Sequence, residues 1–220
     1  MKLFLDSAEV GEIAYALDRF DIDGVTTNPR HVQASGKPFL KVIREIAKLV
    51  EGTSKTVSVE VSPHLDDWEA MVADGERLAA MSPNFVVKIH CIEPAFKAVR
   101  TLKERGVRTN VTLIFSAAQG LQAMRSGAFY ISPFVGWKEA NAEETRGFVA
   151  DLVAIRRNFG FSTQILVAAV RNGRQIVDAA AAGADIVTAG LAVYKEAFEH
   201  PYTRDGLAKF QRFWDQSQYE

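Results

Sequence analysis

Short apolar stretches rich in β-branched residues recur along the whole chain. They are KLFLD at 2–6, GVTTN at 24–28, TVSVEV at 56–61, FVVKIH at 85–90, TNVTLI at 109–114, FYISPFV at 129–135, QILVAAV at 164–170 and DIVTAG at 185–190. Runs of this length and composition predict strands. The segments between most of them place apolar residues at helical spacing. FLKVIREIAKLVEG ends in Gly52 and EPAFKAVRTLKERG in Gly106; DDWEAMVADGERLAAM, SAAQGLQAMRSG, NAEETRGFVADLVAIRRNFG and GRQIVDAAAAG follow the same rule. Alternation of strand and helix predicts parallel strands joined by crossover helices. Eight such units predict a closed (β/α)8 TIM barrel, in compact form. The competing architecture is an open doubly wound sheet, but no strand here is followed by GxGxxG. No linker or low-complexity segment interrupts the chain, so residues 1–220 are expected to form a single domain. An extra C-terminal helix is expected beyond the eighth strand, within YKEAFEHPYTRDGLAKFQRFWDQSQYE. Its stripe of Phe210, Phe213 and Trp214 must bury itself on the barrel or on a neighbouring subunit.

Composition narrows the class. The 220 residues are 48% hydrophobic, enough for a sizeable core, and Lys+Arg 26 against Asp+Glu 27 leave a net charge of −1. No basic stripe points to nucleic acid, and no polybasic run points to a membrane surface. No apolar run reaches the roughly 18 residues a membrane span requires. The single cysteine, Cys91, excludes an internal disulfide and a Cys-rich zinc site. The first apolar stretch meets Asp6 too early for a signal peptide. A soluble, cytoplasmic protein is expected.

In such a barrel, function concentrates at the C-terminal ends of the strands. The polar residues there are Asp6; Thr26, Thr27 and Asn28; Glu60; Lys88; Asn110 and Thr112; Ser132; and Arg171. Lys88 is the oddest, an amine in the middle of an apolar strand. Burying an ammonium costs several kcal/mol, of order 3–5 if its partner is lost. A lysine drawn out of water gives up its proton more readily, and the free amine can attack a ketone to form a Schiff base. The iminium then draws electrons and permits C–C cleavage beside a hydroxyl. Glu60, Asp6 and Thr112 could position the water such chemistry needs, and Asp6 and Asn28 could grip substrate hydroxyls. Blander readings stand beside this one. Lys88 could snorkel to the barrel mouth or form a structural ion pair with Glu60. Asp6 and Glu9 have capping-box spacing. Thr26 and Thr27 suit a strand by propensity, and Ser132-Pro133 could simply end one.

KLFLDSA, DGVTTNP, VSVEV, VVKI, TNVTLIFSAAQ, SGAFYISPFVG and ILVAAVRN occur in this order over nearly the whole chain. Together they resemble the transaldolase family, in the short-chain form shared with fructose-6-phosphate aldolase. That resemblance implies a (β/α)8 barrel whose lysine forms a Schiff base with a ketose. It implies transfer of a dihydroxyacetone unit to an aldehyde, without cofactor or metal. It makes Lys88 the nucleophile, with Asp6, Glu60 and Thr112 holding the catalytic water and Glu60 as acid/base. Asn28 and Asn110 would bind the dihydroxyacetone part, with Thr26 and Ser132 beside it. The aldolase branch has glutamine at Glu60 and a tyrosine acid at Phe134; both residues here resemble the transferases. The resemblance also implies a homo-oligomer, a pentamer or decamer, with the C-terminal helix packed on a neighbour.

The chain departs from the family where the substrate's phosphate is held. The family's arginine after SPFVG is Trp137 here, and the serine of its AASxR run is Ala169; Arg171 remains. At about 1.5–3 kcal/mol per charge-assisted bond, the lost recognition is roughly 2–5 kcal/mol. Arg30, His31, Lys37, Lys138 and Arg174 lie close enough in sequence to compensate. His31, His90 and Cys91 read as pocket wall rather than metal ligands, since no paired spacing supports coordination. A sulfonate carries one charge, and its weak acceptor oxygens suit one arginine plus an indole N–H. The family includes sulfofructose transaldolases, which move dihydroxyacetone from 6-deoxy-6-sulfofructose to glyceraldehyde 3-phosphate. This branch is expected, with Trp137, Arg171 and Arg30 on the anionic tail. An ordinary phosphate-sugar transaldolase, an aldolase on an unphosphorylated ketose and a non-catalytic sugar-binding barrel are the alternatives.

Overall fold

A computed structural model describes residues 1–217 of the chain; residues 218–220, the end of the expected tail segment, lie outside the described residues. Eight parallel strands close into one barrel in sequence order: β1 (Lys2–Asp6), β2 (Gly24–Thr26), β3 (Thr56–Glu60), β4 (Phe85–His90), β5 (Thr109–Ile114), β6 (Tyr130–Pro133), β7 (Gln164–Val170) and β8 (Ile186–Ala189). The connections carry α1 (Val10–Phe20), α2 (Pro29–Ala34), α3 (Phe39–Val50), α4 (Trp68–Ala79), α5 (Glu93–Glu104), α6 (Ala117–Arg125), α7 (Val135–Ala140), α8 (Arg146–Phe159) and α9 (Gly173–Ala182). Beyond β8 come α10 (Leu191–Phe198) and α11 (Pro201–Gln216). The (β/α)8 expectation is met, and the open-sheet alternative is excluded because β1 pairs with β8. Among the described residues, no helix is long and apolar enough to cross a membrane.

Helix formation follows the sequence signals. In α3 the buried residues are Val42, Ile43, Ile46 and Val50, one stripe of a 3.6-residue period. Ser116 and Gln119 form a capping box at the start of α6. Asn172 caps α9 through its side chain, and Gly183 closes that helix in a left-handed conformation. Two short helices were not expected. Helix α2 begins at Pro29, a residue preset for the first helical position, and Asn28 caps it. Helix α7 begins at Val135, so the stretch read as one strand through 135 ends as a strand at Pro133. The tail also divides in two. His200 caps a new helix and Pro201 cannot continue the old one.

Two layers of core result. Val87 and Ile89 of β4 join the large cluster between barrel and helices. Val86 points the other way, into a cluster with Phe4, Tyr130, Leu166, Ala168 and Ile186 that plugs the barrel. Lys88 and His90 share the inward face of Val86, because strand side chains alternate. The apolar plug therefore gives way to polar side chains toward the C-terminal mouth. Tyr194 of α10 is fully buried and donates its hydroxyl to the Phe4 carbonyl at 2.7 Å. Helix α11 buries no residue on this chain's barrel; Tyr202, Leu207, Phe210, Phe213 and Trp214 are all exposed.

Candidate active site

Strand register builds the charged centre. Glu60 and Lys88 are paired positions on β3 and β4, so their inward side chains stand side by side. The Lys88 ammonium lies 3.0 Å from Glu60 Oε2 and donates to the Thr27 carbonyl at 3.0 Å. Its side chain is 6% exposed. Lys88 therefore does not snorkel into solvent. It is an ion-paired amine that still reaches a cavity of about 730 Å³ at the barrel mouth.

Asp6, at the end of β1, is the second anion. Its Oδ1 accepts from Thr26 Oγ1 at 2.8 Å and, more weakly, from Asn28 Nδ2 at 3.5 Å. Its Oδ2 lies 3.1 Å from His31 Nε2. Burial pushes the Asp6 carboxyl up, but the His31 hydrogen bond and charge, then the Lys88 charge and the Thr26 hydroxyl, outweigh it. The group is held below its ordinary value of 3.8, so it remains a carboxylate. The capping alternative fails, because Glu9 occupies the N-cap of α1 and makes no side-chain cap bond. Thr26 also shares a hydrogen bond of 2.7 Å with Thr188 of β8, linking β1, β2 and β8 below the cavity.

A neutral chain of hydrogen bonds lines the next arc. Asn110 donates to Ser58 Oγ at 3.1 Å and accepts from Ser132 Oγ at 2.8 Å. Asn110 is wholly buried and stands behind Ser132 rather than on the cavity wall. Its amide thus fixes Ser132, which does face the cavity. The Thr112 hydroxyl is buried against the cavity and makes no hydrogen bond within the protein.

The far wall is aromatic and cationic. Phe115, Phe134 and Trp137 form a triangle with ring centroids 5.7–5.9 Å apart. Such edge and offset contacts are favourable for aromatic rings. Trp137 is 49% exposed, so its indole borders the entrance. Arg171 follows β7, and Gly136 lets α7 approach it closely: a Cβ there would overlap the Ala169 carbonyl and crowd the Arg171 stem. Leu113 and Ala169, both on the cavity wall, have left-handed backbones with φ of 59° and 58°. Each lies where the ladder shifts register, between Val111 and Ile114 on β5 and between Val167 and Val170 on β7. Such bulges re-aim side chains at strand ends.

Of the residues singled out from sequence, Asp6, Thr26, Asn28, Arg30, Glu60, Lys88, Thr112, Ser132, Phe134, Trp137 and Arg171 border this one cavity. His31 borders it as well, but the other proposed cations do not. Lys37 pairs with Glu45 at 2.7 Å, Lys138 with Glu143, and Arg174 with Asp178 at 2.9 Å. Among the described residues no carboxylate pairs with Arg30 or Arg171. His31, His90 and Cys91 do not converge. His90 Nε2 meets the Leu65 carbonyl at 2.9 Å, and burial pushes the Cys91 thiol up to about 11. Thr188 and Phe115 escaped the sequence reading; DIVTAG marked a strand, but nothing in it marked Thr188 as the partner of Thr26. A second cavity of about 740 Å³ adjoins the first and shares Asn28, Pro29, Glu60 and Pro63 with it. It is mostly apolar and passes outward between α2 and α4.

Comparison with known proteins adds to this geometry. The family described as "Transaldolase/Fructose-6-phosphate aldolase" matches residues 3–219. Proteins of Priestia aryabhattai and Priestia megaterium named "6-deoxy-6-sulfo-D-fructose transaldolase" are each 52% identical over 98% of this chain and 96% of their own. A "Probable transaldolase" of Dictyoglomus turgidum is 43% identical over 98% of both chains. Among solved structures, a thiamine phosphate pyrophosphorylase of Pyrococcus furiosus shares the fold. It has a TM-score of 0.62 at 12% identity, covering 89% of this chain and 93% of that one.

Proposed function

The chain belongs to the transaldolase/fructose-6-phosphate aldolase family and is a transaldolase, and from that premise we propose how its barrel mouth performs the transfer and on what sugar. The observation that carries the proposal is the Lys88–Glu60 pair, 3.0 Å apart on adjacent strands and open to the same cavity as Asp6 and Arg171. Glu60 receives the proton that the Lys88 ammonium must shed. The free amine then adds to the ketose carbonyl. Loss of water from that adduct needs a proton delivered to the departing hydroxyl. Glu60 can return it through a water shared with the Thr112 hydroxyl, which is uncommitted within the protein. The resulting iminium draws the C3–C4 electron pair, an aldehyde leaves, and the dihydroxyacetone unit stays on Lys88 as an enamine. Asn28 and Ser132, the latter fixed by Asn110, hold its hydroxyls until an aldehyde acceptor arrives.

For the donor we propose 6-deoxy-6-sulfofructose, with glyceraldehyde 3-phosphate as acceptor. The relatives bearing that substrate in their name support it, as does the wall opposite Lys88. That wall offers the guanidinium of Arg171 and the exposed indole of Trp137, and Arg30 borders the same cavity from α2; neither arginine pairs with a carboxylate among the described residues, a grip suited to a weakly accepting monoanion. The partners are thus small anionic ketoses and aldoses in a cytoplasmic setting. We further propose a homo-oligomer, pentamer or decamer, in which α11 lays Phe210 and Phe213 on a neighbouring barrel. Steady-state transfer kinetics test the substrate. The expected result is a kcat/KM for 6-deoxy-6-sulfofructose at least tenfold above that for fructose 6-phosphate. A ratio inverted in favour of fructose 6-phosphate rejects the sulfonate reading.

A further inference from the structure

His90 ends β4 as a buried imidazole that the transfer steps above do not use. Alternation puts it on the inward face with Lys88, two residues nearer the mouth. Its register partner on β5 is Thr112, so the two side chains stand side by side, as Glu60 and Lys88 do one strand earlier. Thr112 borders the cavity, whereas His90, 8% exposed, stands behind it and off the wall. The Nε2 of His90 lies 2.9 Å from the Leu65 carbonyl. A carbonyl only accepts, so Nε2 carries the hydrogen. Among the described residues no carboxylate pairs with this ring, and a buried imidazolium without one is costly. The ring is therefore neutral imidazole, and its other nitrogen, Nδ1, is an acceptor.

Among the described residues, three buried side-chain polar atoms have no hydrogen-bond partner in the protein, and two of them are His90 Nδ1 and Thr112 Oγ1. The third, on Thr109, belongs to the start of β5, at the other end of the barrel. A buried acceptor and a buried donor left unmet are costly, and two on neighbouring strands can meet through one enclosed water. The consequence falls on the Thr112 hydroxyl, which has one hydrogen to give, two lone pairs, and a free rotor. Turned outward, its hydrogen would compete with Glu60 for the lone pairs of the catalytic water. Drawn back toward His90, the hydroxyl presents its own lone pairs to the cavity and accepts from that water.

We propose that His90 is a positioning residue for imine formation: its Nδ1 receives the Thr112 hydroxyl hydrogen through one buried water and so fixes Thr112 as an acceptor for the water that serves Lys88. This rests on the Lys88 imine assigned above. In the dehydration step the protonated Glu60 carboxyl gives its proton to the catalytic water. That water gives a proton to the hydroxyl of the carbinolamine, which leaves as water. The lone pair of the Lys88 nitrogen closes the C=N bond, and Glu60 returns to carboxylate. The second hydrogen of the catalytic water stays on Thr112 Oγ1 throughout and holds the relay in line. His90 touches neither sugar nor reacting atoms, and it neither gains nor loses a proton. Charge and atoms balance, and no further reagent is needed.

Two substitutions separate this role from that of a strut for the loop carrying Leu65. His90→Gln places an amide where Nε2 stands, so it keeps a donor for the Leu65 carbonyl and loses the acceptor beside Thr112. His90→Asn places one where Nδ1 stands, so it keeps that acceptor and loses the Leu65 bond. Imine formation with 6-deoxy-6-sulfofructose, without acceptor aldehyde, is followed in a single turnover by borohydride quench and the mass of the Lys88 adduct. The amplitude counts folded sites, and the rate reads the positioning. In His90→Gln the rate should fall about three- to tenfold, the range of one net neutral hydrogen bond, while half-saturation by the ketose stays within about twofold. In His90→Asn the rate should stay within about twofold of the unaltered chain. In a Thr112→Val background, adding His90→Gln should cost nothing further. An unaltered rate in His90→Gln, a loss that persists in full beside Thr112→Val, or a slower His90→Asn than His90→Gln overturns the inference and leaves the imine in place. Absence of any Lys88 adduct in the unaltered chain instead overturns the imine reading and takes this inference with it.

Discussion

The barrel mouth has two unlike halves. Across β1 to β4, Asp6, His31, Glu60 and Lys88 are joined in pairs 3.0–3.1 Å apart. The strands there keep regular register, and Glu60 and Lys88 face each other because they are register partners. Across β5 to β8, two of the strand pairings slip register, two non-glycine residues take left-handed backbones, and the wall is made of aromatic rings and an exposed arginine. The first half places charge by strand geometry, which leaves little freedom. The second places shape and cation on bulges and on the short helix α7, where Gly136 allows close approach. Covalent chemistry demands fixed positions within tenths of an ångström, whereas recognition of a tail tolerates rebuilding. This explains why the departures from the family's phosphate grip, Trp137 and Ala169, fall on the second half.

If the halves divide labour in this way, substitutions in them should fail differently. Glu60→Gln, in the first half, should lower kcat for transfer by about 10²–10⁴-fold, because the amide cannot relay a proton. Its KM for the ketose should change little, and steady-state kinetics read the split. A Glu60→Gln variant with intact kcat would place the acid–base group elsewhere. Arg171→Ala, in the second half, should raise KM for the anionic ketose by roughly 10–100-fold, matching a lost charge-assisted bond of about 1.5–3 kcal/mol. Its effect on an uncharged ketose should be slight, and comparison of the two donors isolates the tail. Equal losses on both donors would mean that Arg171 serves the fold rather than recognition. The smallest effect belongs to neither half. Tyr194→Phe removes the hydroxyl bond from α10 to β1 and should cost about 1 kcal/mol. That corresponds to about 2–4 °C in thermal melting, with transfer kinetics unchanged.

The strand half was largely legible from sequence. Each of β1 to β8 coincides with an apolar run, and alternation alone carries Lys88 to the inner face once Val86 is known to point inward. Register is a matter of neighbours far apart in the chain. Thus sequence left open whether Lys88 would snorkel or pair, and the β3–β4 register decided it in favour of Glu60. The bulged half was less legible. Nothing local in TNVTLI or QILVAAV signals that Leu113 and Ala169 adopt positive φ, a conformation favoured by glycine. The nearby lysines and arginines also looked equivalent in sequence. Their carboxylate partners, eight residues on for Lys37, five for Lys138 and four for Arg174, remove them from the site and leave Arg30 and Arg171. Asn110 reads as a ligand when only its strand-end position is known. Its two buried hydrogen bonds, which position cannot show, add that it supports Ser132.

The central claim is that the Lys88 amine bonds covalently to the carbonyl carbon of a ketose. The most direct measurement is peptide-mapped mass spectrometry of the chain reduced with borohydride in the presence of donor sugar. We predict one added dihydroxyacetone or ketose unit, confined to the peptide carrying Lys88 and absent from Lys88→Met. An adduct on any other lysine, or an unmodified Lys88 peptide in a chain that still turns over the donor, would contradict the account.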